Sequence, residues 1–143
     1  MSEAKPTARW ATHSLAEHVG ELAIRIEASS LPELFAESAR ALAEVMLGRP
    51  AGGSGDYEQV WVKAPDREAL LVAWLDELIF QAERDHKVYG DVEVQRITDG
   101  EMDAAIRGEP VSDLKTQVKA ATFHGLEIID TPKGVAATVV LDV

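Results

Sequence analysis

The residues at the carboxyl end of the chain are of the types that bind hard metal ions. Asp142 is the penultimate residue, within the stretch VVLDV, and lies beside Val143, whose terminal carboxylate is a second anion. Two anions in adjacent residues repel each other unless a cation or a hydrogen-bond donor lies between them. A third carboxylate from elsewhere in the fold would complete an oxygen-only site of the kind that Ca²⁺ or Mg²⁺ prefers. The spacing does not indicate which acidic residue that is.

Other catalytic and nucleotide-binding motifs are absent from the sequence. It contains no GxxxxGK[ST], GxGxxG, HExxH or GxSxG motif and no EF-hand loop, and its GGSG segment lacks the lysine and following helix of a phosphate loop. With no cysteine, the chain has neither disulfides nor thiolate metal sites. Isolated histidines are typical of surface or hydrogen-bonded core positions. The four histidines are scattered: His13, His18, His86 and His124.

Length and charge restrict the class of protein. A chain of 143 residues is the size of one domain, so we expect a single domain over residues 1–143 with a flexible tail at 1–7. Asp and Glu number 25 against 14 Lys and Arg, and the net charge of −11 disfavours tight binding to nucleic acid and favours a basic partner or cations. No segment resembles a membrane span or a signal peptide, which predicts a cytoplasmic protein without membrane association.

The first half of the chain predicts a hairpin followed by a helix. WATHSL and ELAIRIEA are predicted strands, the second by its alternation of apolar and polar residues, and they form a hairpin around LAEHVG. The following segment to Gly48 has helical apolar spacing, with Ser30 as the N-cap and Glu33 three residues later. Gly48 is the predicted end of this helix.

A loop, a strand and a second helix come next. RPAGGSGD is rich in turn-forming residues, and YEQVWVKA after it alternates like a strand. Asp66 is the predicted N-cap of a helix over DREALLVAWLDELIFQAERD, whose apolar residues recur at helical spacing. We expect its acidic residues to form a solvated face: Asp76, Glu77, Glu83 and Asp85.

From Tyr89 onward the sequence predicts strands and turns. The last two predicted strands flank the turn at residues 131–134 and should form an antiparallel hairpin. The predicted strands are DVEVQRI, EMDAAIRGEP, QVKAATFHGLEIID and GVAATVVLDV. The sequence thus predicts two helices and six or seven strands, and helices and strands do not alternate along the chain. This order predicts an α+β fold, with both helices packed on a mostly antiparallel sheet.

Several segments, taken in order, resemble the archease family. Residues 18–21, HVGE, followed by LAIRIEA and SLPELFAESARALAEVM, are similar to the family's HTAD motif, strand and S-L-x-E-L-F helix. EALLVAWLDELIFQAE is similar to its LL-x-x-WL-x-EL segment. Three later segments resemble its G-E, K-A-x-T-[YF]-H and terminal D-V elements: GEP, VKAATFHGLEI and VVLDV. Five ordered matches in a chain of matching length are more specific than any one of them.

The resemblance implies a function in RNA processing. Archeases activate the RtcB-type RNA ligase, which joins 2′,3′-cyclic phosphate and 5′-hydroxyl RNA ends in tRNA splicing and RNA repair. They promote guanylylation of the ligase and its multiple turnover. By this resemblance the protein is not itself an enzyme, its partner is the ligase, and its cofactor is a divalent cation, either Ca²⁺ or Mg²⁺/Mn²⁺.

The resemblance also implies which residues hold the cation. The two essential acids of the family correspond to Glu21 and Asp142, with Val143 as a further oxygen donor. HVGE replaces HTAD, so the acid at position 21 is one methylene longer and the threonine hydroxyl is absent. A simpler interpretation makes Glu21 a charged cap at the start of a strand and Asp142 part of a solvated terminus.

Three further polar residues are candidates for a supporting role. Lys119 and His124 lie at the K-A-x-T-x-H positions, and strand alternation would place Ala120, Thr122 and His124 on one sheet face. His124 would then orient a metal-bound carboxylate or water, or simply form a local hydrogen bond. The same two interpretations apply to His18.

Two alternatives to the ligase activator stay open at this point. One is a chaperone-like adaptor of nucleic-acid-processing enzymes, in which the metal site is structural or lost. The other is a small hydrolase in which the cation activates water, although the sequence offers no general base for it. None of these patterns specifies an oligomeric state.

Overall fold

The computed structural model describes residues 8–143, and the predicted flexible tail at 1–7 lies outside them. In chain order, its strands are β1 (Ala11–His18), β2 (Glu21–Ala28), β3 (Glu58–Lys63), β4 (Lys87–Ile97), β5 (Glu101–Pro110), β6 (Ala120–Thr122), β7 (Ile129–Thr131) and β8 (Gly134–Asp142). Helix α1 (Leu31–Leu47) lies between β2 and β3, and helix α2 (Arg67–Asp85) lies between β3 and β4.

Both helices begin and end for local reasons. The Oγ atom of Ser30 accepts the backbone N–H of Glu33 at 3.4 Å, and α1 ends at Gly48, a left-handed residue whose N–H donates to the carbonyl of Glu44. The Oδ1 atom of Asp66 accepts the N–H of Ala69 at 2.8 Å at the start of α2. The predicted caps of both helices are confirmed.

The strands form two antiparallel sheets. The five-stranded sheet has the order β1-β2-β8-β6, with β7 also paired to β8, and the three-stranded sheet has the order β3-β5-β4. Both helices pack on these sheets, so the predicted α+β class with antiparallel pairing is confirmed. The described residues form eight strands rather than six or seven, because the segment over residues 117–130, predicted as one strand, is divided into two.

The first hairpin is tighter than predicted. Strand β1 continues to His18 and β2 begins at Glu21, so only Val19 and Gly20 connect them. Gly20 has φ +75°, a conformation that favours glycine and that short hairpin turns require.

The predicted long strand over residues 117–130 is wrong. Only Ala120–Thr122 and Ile129–Thr131 pair with β8, and residues 123–128 form a loop between them. A left-handed Gly125, with φ +64°, interrupts the extended backbone in that loop. The predicted turn between β7 and β8 is confirmed, since Thr131 pairs directly with Gly134.

A shared hydrophobic core joins the sheets and helices. The inward faces of β2, β5 and β8 and the apolar stripes of both helices contribute to one cluster. Trp74 of α2 is fully buried, and its indole N–H donates to the carbonyl of Phe35 in α1 at 3.0 Å. This bond satisfies the one polar atom of the largest core side chain. Within residues 8–143, no helix is long and apolar enough to cross a membrane.

Candidate metal site at the end of the five-stranded sheet

One cross-strand row at the end of the five-stranded sheet contains the acids identified from the sequence. Glu21 of β2 pairs with Asp142 of β8 on one side and with His18 of β1 on the other. Ala120 of β6 pairs with Asp142 from the far side. Residues directly opposite each other in an antiparallel sheet place their side chains on the same face. Four strands therefore bring His18, Glu21, Asp142 and Ala120 together in one row.

This row lies on the outer face of the sheet, away from the helices. Along β2, the side chains of Leu22 and Ile24 point into the core and are buried. The side chain of Glu21 lies on the opposite face of the strand and is half-buried. In β8, Leu141 is buried and Asp142 is exposed. Strand alternation thus directs both carboxylates toward solvent, where a hydrated cation has access to them.

The carboxyl end of the chain is held in place on both sides. The backbone N–H of Val143 donates to the carbonyl of Gly20 at 3.1 Å, and the N–H of Lys119 donates to the carbonyl of Asp142 at 2.8 Å. These bonds continue the ladder beyond the paired strands, so the backbone of Asp142 is held opposite Glu21 although its side chain is exposed. The bond to Gly20 also places the main chain of Val143 beside the hairpin that carries Glu21.

The two carboxylates differ from other acids of the sheets in their ion pairing. In the part of the chain that the structure describes, neither Glu21 nor Asp142 forms an ion pair, although other acids on the two sheets do so. Like charges directly opposite each other across two strands destabilise a sheet. A divalent cation bound by both carboxylates would remove that repulsion, and carboxylate oxygens are the ligands that Ca²⁺, Mg²⁺ and Mn²⁺ prefer.

The side chains supply only part of a coordination sphere. Among residues 8–143 there is no group of three or more His, Cys, Asp or Glu side chains placed to hold one metal ion. A cation held by Glu21 and Asp142 therefore needs further oxygen ligands from the main chain of Val143 or from water. This donor set fits a hard, partly hydrated cation.

The three predicted supporting residues have different positions. His18 lies in the row, opposite Glu21. Lys119 contributes its backbone N–H to Asp142, and its side chain is exposed. The prediction that His124 shares a sheet face with Ala120 and Thr122 is wrong, because β6 ends at Thr122. His124 is an exposed loop residue whose N–H donates to the hydroxyl of Thr122 at 3.3 Å.

Asp76 has a contact that the sequence did not indicate. It was expected on the solvated face of α2, but its Oδ1 atom accepts the backbone N–H of Ala121 in β6 at 2.9 Å. Burial raises the pKa of Asp76, and the hydrogen bond from Ala121 opposes that shift. Its neighbour Leu75 is fully buried, which places Asp76 at the border of the apolar stripe. Contact with a strand some 45 positions later leaves no local signal in the sequence.

Comparison with protein families agrees with this architecture. Residues 13–143 match the model described as "Archease protein family (MTH1598/TM1083)". The chain belongs to the archease family. The archease of Methanosarcina acetivorans is 31% identical over 135 residues, covering 89% of this chain and 92% of that protein. The archease of Methanosarcina barkeri is 29% identical over the same share of both chains.

Solved archease structures have the same fold. The solution structure of Methanobacterium thermoautotrophicum protein 1598 superposes with a TM-score of 0.69 at 27% identity and covers 92% of this chain and 98% of its own. The crystal structure of a Thermotoga maritima archease, described as a possible chaperone, has a TM-score of 0.55 at 16% identity. The match covers 100% of this chain and 97% of that one. At that identity the second likeness shows the fold alone.

Proposed function

We propose that this archease activates an RtcB-type RNA ligase in tRNA splicing and RNA repair, by promoting its guanylylation and multiple turnover. The observation that carries the proposal is the register of Glu21 opposite Asp142. These are the positions that the family resemblance assigns to the essential acids. We infer that they hold a divalent cation, Ca²⁺ or Mg²⁺/Mn²⁺, together with main-chain oxygens of Val143.

The cation, when bound, would supply positive charge and open coordination positions for oxygen ligands of the partner. The protein's own residues would hold and orient it. Glu21 is fixed by its strand between β1 and β8, and Asp142 is fixed by the bonds at Lys119 and Val143. An activator of this kind changes the ligase equilibrium only if it binds one ligase conformation more tightly than the other. In this proposal the archease itself catalyses no reaction.

The charge of the protein favours a partner of this type. A net charge of −11 repels RNA but attracts the basic groove of an RNA-binding enzyme. The proposal therefore assigns RNA contact to the ligase. The archease approaches the ligase through the outer face that carries Glu21 and Asp142.

A second candidate is a chaperone-like adaptor of nucleic-acid-processing enzymes, with a structural or lost metal site. The absence of a third acidic or histidine ligand among residues 8–143 favours it, because two carboxylates alone bind a cation weakly. Under this alternative, removing the carboxylates leaves partner binding unchanged.

The test is a ligation assay with the RtcB ligase from the same source. We expect wild type to increase both ligase guanylylation and the number of ligations per enzyme, and Glu21→Ala and Asp142→Ala to lose that stimulation. Glu83→Ala, which removes an exposed carboxylate from helix α2 and leaves the outer sheet face intact, is the matched control and should retain it. If wild type gives no stimulation, the activator proposal is wrong. If both carboxylate variants bind and stimulate as wild type does, the adaptor is the better account.

A further inference from the structure

Strand β6 holds one side of the end of β8, and β2 holds the other side, although β6 is only three residues long. Ala120 and Ala121 pair with Asp142 and Leu141, and the hydroxyl of Thr122 donates to the carbonyl of Val140 at 3.0 Å. Just before the strand, the N–H of Lys119 donates to the carbonyl of Asp142. The backbone of Asp142 is therefore held by β6 on the side that faces away from β2.

A strand this short, at the edge of a sheet and followed by a loop, has few bonds of its own. Ala121 packs in the shared hydrophobic core, and a hydrogen bond from its N–H to the Oδ1 atom of Asp76 also links β6 to helix α2. Helix α2 is anchored in the core by fully buried residues such as Trp74 and Leu75. Asp76 thus connects a rigid helix to the strand that holds the end of β8.

We propose that Asp76 is a positioning residue for the cation site: by fixing β6 on α2, its carboxylate oxygen keeps Asp142 opposite Glu21. This inference rests on the proposed function, since it assumes that these two carboxylates bind a cation. Asp76 does not contact the cation. It acts through the backbone of Ala121 and the ladder between β6 and β8.

The chemistry of Asp76 is consistent with this role. The carboxyl group is half-buried, and burial raises its pKa, so ionised Asp76 is less favourable here than in water. No basic side chain forms an ion pair with Asp76 among the described residues. Asparagine has the same shape and keeps an acceptor oxygen, whereas alanine leaves the N–H of Ala121 without its partner.

Three variants separate positioning from general stabilisation. Asp76→Ala removes the acceptor, Asp76→Asn keeps it without the charge, and Glu83→Ala removes a carboxylate from an exposed position on the same helix. For each protein we would measure the Ca²⁺ dissociation constant by titration calorimetry, the exchange protection of the Val143 amide by NMR, and the melting temperature. The Val143 amide reports the end of β8 because it donates to Gly20.

We expect Asp76→Ala to raise the Ca²⁺ dissociation constant by about tenfold, the lower limit for loss of a residue that orients metal ligands. The protection of the Val143 amide should fall in the same variant. Asp76→Asn and Glu83→Ala should keep both values within about twofold of wild type, since the hydrogen bond to β6 remains.

The inference is overturned if Asp76→Ala lowers only the melting temperature and leaves Ca²⁺ affinity and Val143 protection unchanged. It is also overturned if Asp76→Asn shows the same loss of Ca²⁺ affinity and Val143 protection as Asp76→Ala, because the acceptor oxygen that asparagine keeps would then not position Asp142. If wild type binds no Ca²⁺, the proposed cation site fails. The Val143 exchange data would still decide whether Asp76 holds the end of β8.

Discussion

Two pairs of acidic residues are brought together by this fold, and they differ in how their charge is balanced. Glu37 and Glu44 lie on one face of α1, and His13 of β1 is hydrogen-bonded to both, with its Nδ1 atom 2.7 Å from Oε2 of Glu37 and its Nε2 atom bonded to Oε2 of Glu44. Arg40 also bonds Glu37, at 2.8 Å. Glu21 and Asp142 lie opposite each other in the sheet and have no basic partner among the described residues.

Under the proposed cation site, the difference marks where an external cation would balance charge. A histidine bonded through both nitrogens to carboxylates carries both protons and acts as an internal cation. The α1 pair, close to the core, is therefore balanced within the chain. The sheet pair faces solvent and has no such internal cation among the described residues.

We expect the largest change in the free energy of unfolding when the internal cation, His13, is removed. His13→Ala leaves Glu37, whose side chain is only 10% exposed, and Glu44 without their shared donor. We expect the free energy of unfolding to fall by about 2 kcal/mol, the cost of losing hydrogen bonds to a charged group. Thr12→Ala, on the exposed face of the same strand, is the control and should change it by less than about 0.5 kcal/mol. Equal effects in denaturant titrations would mean that the α1 pair does not need His13.

The converse change gives the sheet pair an internal cation. Ala120 lies directly opposite Asp142, so Ala120→Lys introduces an ammonium group beside the two carboxylates. We expect Ca²⁺ affinity to fall by about tenfold because the lysine competes for the same oxygens, a loss equivalent to about 1.4 kcal/mol. Ala120→Gln is the neutral control of similar length. If calorimetry gives the same dissociation constant for the lysine variant and wild type, the cation does not bind at Asp142.

The smallest effect is a dependence of stability on pH. Burial by itself would lower the pKa of His13, but its hydrogen bonds to Glu44 and Glu37 outweigh burial and raise the pKa above the ordinary 6.5. A raised folded-state pKa gives stability that is fully present below pH 6.5 and is lost as the pH rises through the folded-state value. Deprotonation costs His13 one hydrogen bond to a carboxylate while the ring stays in place, so the loss should be about 1 kcal/mol, less than for His13→Ala.

This dependence is measured as the difference in unfolding free energy between wild type and His13→Ala. The difference should be largest near pH 6 and should shrink as the pH rises toward 9. A difference that stays constant over this range would show that His13 is not protonated in the folded protein.

The local features of the fold were predictable from the sequence. The caps at Ser30 and Asp66 and the stop at Gly48 depend on hydrogen bonds within one turn of the helix, which residue type and spacing determine. The alternation in β2 likewise predicted its buried face correctly, because one side of that strand faces the core throughout.

The errors concern contacts between distant residues. Which part of residues 117–130 pairs with β8 depends on where the backbone leaves the sheet at the loop around Gly125, so alternation overestimated the strand and misplaced His124. The contact of Asp76 with Ala121 was missed for the same reason. The pairing of Glu21 with Asp142 follows from strand order, which the sequence does not show by itself, and the family resemblance supplied the expectation.

The central claim is that Glu21 and Asp142 together hold a divalent cation, and a double-mutant cycle on Ca²⁺ binding tests it most directly. Calorimetry would compare wild type, Glu21→Gln, Asp142→Asn and the double variant, and all four should keep the fold because both side chains face solvent. We predict that each single substitution raises the dissociation constant by at least about tenfold. Relative to wild type, the double variant should bind Ca²⁺ more weakly by a factor much smaller than the product of the two single-variant factors. Equal Ca²⁺ affinity in wild type and the double variant would contradict the account.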